Sequence, residues 1–62
     1  MEPKVGQIWQ MDFSDSKELV FITKLNSNGL QVKYYYLRNP EKTDWDYLWS
    51  FMDGVSFKLV SG

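Results

Sequence analysis

The chain has 62 residues with no cysteine and no histidine, and its seven Lys/Arg against eight Asp/Glu leave a formal charge of −1. That composition excludes a disulfide, a thiolate metal site, the usual zinc ligands and the commonest general base. It also argues against duplex DNA as a partner, because such binding rests on a strongly basic footprint.

A chain this short buries only about 60% of the surface that its unfolded form exposes, so apolar packing has to carry the fold. The first predicted strand runs from Val5 to Met11, opened by Pro3 and Gly6. Asp12-Phe13-Ser14-Asp15-Ser16-Lys17 follows as a polar connection rich in turn formers. Leu19 to Leu25 is a nearly continuous apolar, β-branched run, the pattern of a strand covered on both faces. Asn26-Ser27-Asn28-Gly29 then predicts a tight hairpin turn, with Asn-Gly supplying positive φ.

Leu30 to Arg38 is the third predicted strand. Leu30, Val32, Tyr34 and Tyr36 share one face, read as inward, and Gln31, Lys33 and Tyr35 share the other. Asn39-Pro40-Glu41-Lys42 reads as a turn, since Pro40 cannot donate to a ladder. In the next segment Trp45, Tyr47 and Trp49 alternate as in a strand, whereas Leu48, Phe51 and Met52 have helical spacing. A strand over residues 43–47 passing into one helical turn over 48–53, closed by Gly54, reconciles the two periods. Val55 to Val60 is the last strand, with Val55, Phe57 and Leu59 expected inward.

Five short antiparallel strands with one helical turn before the last predict an all-β domain over residues 1–62, a partly open SH3-like barrel, since a small barrel limits exposed sheet edges. An OB-like barrel is the alternative, but it usually takes a longer chain. No apolar run approaches the roughly 18 residues of a membrane span. Met1-Glu2-Pro3-Lys4 does not read as a signal peptide, so the expected compartment is the cytoplasm.

The opening Val5-Gly6-Gln7-Ile8-Trp9, the central Val32-Lys33-Tyr34 and the closing Trp45-x-Tyr47…Phe51-x-x-Gly54-x-x-Phe57 resemble the small SH3-like barrel proteins of bacteria and their phages. The resemblance spans most of the chain as a scatter of apolar positions. It implies the fold, and a phage or bacterial accessory role in which such a protein binds and modulates a host protein. It transfers no site residue.

Chemistry finds little footing. Candidate nucleophiles and bases do not cluster, and so small a domain is expected to have no room for a pocket of several hundred Å³. The expectation is therefore a chain that is not an enzyme, with no cofactor and no small-molecule substrate. Asp44-x-Asp46 and the Asp12/Asp15/Glu18 group lack the spacing of a calcium loop and read as solvated turns.

The eleven aromatics carry the functional expectation. Each ring buries about 150–250 Å². Phe21, Tyr34, Tyr36, Phe51 and Phe57 have core parity, and Val5, Ile8, Val20, Ile22, Leu25, Leu30, Val32, Val55 and Leu59 compete for the same interior. At native packing density the rest will not fit. Some of Trp9, Phe13, Tyr35, Trp45, Tyr47 and Trp49 are thus expected at least half exposed, as a binding surface. The expected contact residues are Trp9, Tyr35, Trp45, Tyr47 and Trp49, with Asp44 and Asp46 as a polar rim. The expected partner is a protein, including a second copy of the chain as a homodimer. Single-stranded nucleic acid is the alternative if Lys24, Lys33, Arg38 and Lys58 align into a basic groove. A Pro-rich peptide is a third option.

Overall fold

A computed structural model describes residues 2–13, 16–26, 28 and 30–62, the side chain of Phe13 excepted. The chain forms β1 (Ile8–Phe13), β2 (Ser16–Leu25), β3 (Gln31–Tyr36), β4 (Asn39–Tyr47), a short helix α1 (Leu48–Met52) and β5 (Phe57–Ser61). All five strands lie in one antiparallel sheet of order β4-β3-β2-β1-β5, so β4 and β5 are its edges. Among the described residues no ladder joins β4 to β5, and the sheet is open. The helix touches both of these edge strands.

Alternation builds the core. Trp9 and Met11 on β1, Val20 and Ile22 on β2, Val32 and Tyr34 on β3 and Phe57 on β5 share the inner face, and Phe51 of α1 closes over them; all are buried. The rings interlock. Phe51 stacks on Phe57 at 3.9 Å between centroids and meets Trp9 edge to face at 5.3 Å. Tyr34 adds edge-to-face contacts with Phe51 and Phe57.

Several boundaries differ from the sequence reading, each for a physical reason. Val5 is exposed in a turn rather than in a strand, and Gly6 there takes φ of +92°, which a residue with a Cβ rarely adopts. The expected long polar connection after β1 contracts, because Asp12 pairs with Lys17 and Phe13 with Ser16. The β2–β3 hairpin forms in register, with Leu25 opposite Val32. Ser27 and Gly29, on which the expected turn geometry depends, lie outside the described residues.

The turn expected at residues 39–42 falls instead at Leu37–Arg38, and Pro40 is a strand residue. Proline is tolerated there because β4 is an edge. Leu30 and Val55, expected inward, are exposed. Val55 belongs to a turn organised by Asp53, whose carboxylate accepts the backbone N–H of Val55 at 2.7 Å and of Ser56 at 3.1 Å. These bonds hold the Asp53 carboxyl below its ordinary range. The helical turn and its Gly54 terminator, with φ of +77°, lie where the mixed periodicity places them.

Candidate functional site

The outer face of the sheet holds most of the rings that the core leaves out. On β4 Trp45 and Tyr47 point the same way by strand alternation, and Trp49, in the first turn of α1, continues the row. Trp45 meets Tyr47 edge to face at 5.2 Å, and Tyr47 lies parallel to Trp49 at 5.7 Å with 9° between planes. The three are 43%, 45% and 65% exposed, so each ring keeps a large part of its surface open to solvent.

Tyr35 sits nearer the centre of the same face, half-buried, and stacks on Phe21 at 5.2 Å. Ile8, Phe21 and Tyr35 are successive cross-strand partners and form an apolar row. Phe21, expected in the core, faces outward because Val20 and Ile22, its neighbours, take both adjacent core positions. The expectation that β2 is covered on both faces therefore fails on its outer side.

Trp9 corrects the contact set in the opposite direction. It is only 3% exposed, and its indole Nε1–H donates to Oε1 of Gln7 at 3.0 Å. It is a core residue. Gln7 is itself buried, although no pattern in the sequence marks it as interior.

Asp44 and Asp46 stand opposite Tyr34 and Val32, on the side of β4 away from the ladder. Each carboxylate accepts the backbone N–H of the next residue, from Trp45 at 2.8 Å and from Tyr47 at 3.0 Å. Leu48 N–H donates inward to Leu30 O, so by alternation the N–H groups of Trp45 and Tyr47 face the open side of the edge strand. The two aspartates thus occupy edge donors and are more than a polar rim.

Of the cations considered for a groove, Lys24 and Lys33 are direct cross-strand partners beside Trp45, which is itself the partner of Lys33. Arg38 instead lies 3.6 Å from Glu18, and Lys58 lies 3.6 Å from Asp12. A depression of about 350 Å³ opens next to Trp45, lined by Thr23, Lys33, Thr43 and Asp44.

A second open cleft of about 360 Å³ lies over Met11, between Glu18, Tyr36, Arg38 and Lys42. The expectation that the fold leaves no space of this size is therefore incorrect, because the open sheet keeps concave ends. Lys42 Nζ sits 4.8 Å above the Tyr36 ring. Burial pushes the Tyr34 and Tyr36 hydroxyls above the ordinary tyrosine value, reinforced by mutual repulsion at Tyr34 and by the Asp44 carboxylate at Tyr36. Among the described residues no group of three or more carboxylate side chains could hold a metal ion. Among the described residues no helix is long and apolar enough to cross a membrane.

Comparison with protein-family models, with curated proteins and with solved structures returned no match in any of the three. The class that fold and site define is an all-β domain of five antiparallel strands with one uncovered aromatic face.

Proposed function

We propose that this chain is a non-catalytic binding module of SH3-like barrel type, and that its working surface is the outer face bearing Trp45, Tyr47, Trp49 and Tyr35. The strand order β5-β1-β2-β3-β4, with a helical turn between β4 and β5 that touches both, supports the SH3-like reading. One observation carries the binding reading. Two of the three tryptophans stand uncovered in a single row although the core is rich in rings. Exposed apolar area of this kind costs solubility unless a partner covers it. Large aromatics also bury much area on docking at little rotamer cost.

A phage or bacterial accessory role fits this surface, and docking would go through side chains. Strand addition at β4 is disfavoured, because Asp44 and Asp46 already engage its outward N–H groups.

The test replaces Trp45 and Trp49 together by serine. The double variant is expected to unfold at nearly the parent temperature while losing capture of a partner from host lysate. Global unfolding of the variant would show that these rings belong to the core and remove the reading.

A further inference from the structure

The outer face has a charge of its own. By strand register Lys17, Lys24, Lys33 and Lys58 lie on it against Asp12 and, by alternation from Thr43, Glu41, whereas the whole chain carries −1. Asp12 stands beside Lys58, at 3.6 Å, and directly across from Lys17. Among the described residues neither Lys24 nor Lys33 has a carboxylate within ion-pair distance. These two are direct partners across β2 and β3, an arrangement in which like charges repel and destabilise a sheet. An anion placed between them would relieve that repulsion. Lys33 is in turn the cross-strand partner of Trp45, the first ring of the ladder.

We infer that this face binds single-stranded nucleic acid, with bases stacking on Trp49 and Trp45 and phosphates lying over Lys24 and Lys33; the inference rests on the reading of the outer face as the working surface. The ladder rings are packed on one another and leave flat ring surface exposed on Trp45 and Trp49. Flat faces suit bases, since every base has a π-face to offer. Thr23, Thr43 and Asp44 line the depression beside Trp45, so a base edge entering it would meet hydroxyl and carboxylate oxygens, the Thr23 hydroxyl already donating to Lys33 O at 3.3 Å. A peptide strand is disfavoured because the edge amides of Trp45 and Tyr47 are taken. A duplex is disfavoured too, because it hides its base faces and needs many more phosphate contacts.

The experiment follows the anisotropy of a labelled oligothymidylate of roughly 12 nucleotides, within the usual site size of such surfaces, titrated with the full chain at low salt. Binding is expected, with quenching of tryptophan emission and poor competition by a duplex of equal length. Trp49→Ala and the pair Lys24→Gln with Lys33→Gln are each expected to weaken binding about tenfold. The lysine pair should also lower the slope of log affinity against log salt by about 1.4, since each phosphate neutralised on a single strand adds ~0.7 to it. All three residues are exposed, so Trp49→Ala keeps the parent unfolding curve, and the lysine pair, freed of its cross-strand repulsion, unfolds no earlier than the parent.

No binding by the parent at low salt, or wild-type affinity and slope in the lysine pair, overturns the inference. An acidic random copolymer of glutamate and tyrosine serves as the protein-like competitor. If it binds with lysine dependence and the oligonucleotide does not, the occupant is an acidic protein; the nucleic-acid inference falls and the binding-face reading stands. Loss of fold in the Trp45/Trp49 double variant removes both.

Discussion

At Gln7 one buried amide ties three parts of the chain together. Its Oε1 accepts the backbone N–H of Lys4 at 2.7 Å and the indole N–H of Trp9 at 3.0 Å, and its Nε2 lies 3.5 Å from the carbonyl oxygen of Gly62. Gln7→Leu removes the acceptor and leaves the Trp9 indole unpaired inside the core, at a cost of about 2 kcal/mol. The urea midpoint should fall with the slope unchanged, and a variant as stable as the parent would show that the indole finds another acceptor. Tyr34 makes a prediction of opposite chemical sense. Its hydroxyl titrates higher in the folded state than the ordinary value near 10.0. Between those two values the unfolded chain holds fewer protons than the folded one. The stability is therefore fully present below about pH 10 and falls above it, at up to ~1.4 kcal/mol per pH unit for one group. Unfolding measured at pH 9 and pH 11 should show this loss, and Tyr34→Phe should remove the larger part of it. Tyr36 shifts in the same direction and supplies the remainder.

Among the elements, α1 depends most on tertiary support. Five residues without a side-chain cap are too few to be helical alone, since nucleation is costly and such helices draw their stability from packing. Phe51 provides that packing through Trp9, Tyr34 and Phe57. Phe51→Ala should cost about 3–5 kcal/mol, comparable with the whole stability of so small a domain. Circular dichroism should accordingly show an unfolded chain, while Met52→Ala in the same helix, at an exposed position, stays folded. The spacing of Phe51 and the Gly54 stop were legible because capping and periodicity are local. The turn before β4 was not. Asn39-Pro40 reads as a turn in isolation, and only the position of β4 at the sheet edge makes a strand proline acceptable.

For the whole molecule, the issue is how an open sheet with two edges avoids stacking on copies of itself. At β4, Asp44 and Asp46 shield the donors of Trp45 and Tyr47 and add negative charge. Replacing both aspartates by alanine should raise self-association at millimolar concentration, read by sedimentation velocity or light scattering. Unchanged sedimentation would mean that the two aspartates do not protect this edge. The same pair bears on the homodimer expected as one form of partner. A dimer built by β4-to-β4 pairing requires those donors, so that form of dimer is disfavoured in the parent.

Alternation along the chain determined which residues share a face. Trp9 with Met11, Val32 with Tyr34, and Trp45 with Tyr47 follow from the pleat alone, as does the surplus of rings over interior space. Which face turns inward was decided by the sheet. From the sequence Trp9 is expected at the surface and Phe21 in the core, and the structure exchanges them. In an unbroken apolar run such as Leu19 to Ile22 parity carries no sign, so only pairing with β1 and β3 selects Val20 and Ile22 for the interior. The juxtaposition of Lys24, Lys33 and Trp45 is likewise a product of register. These residues are far apart along the chain and meet only because three strands hydrogen-bond side by side.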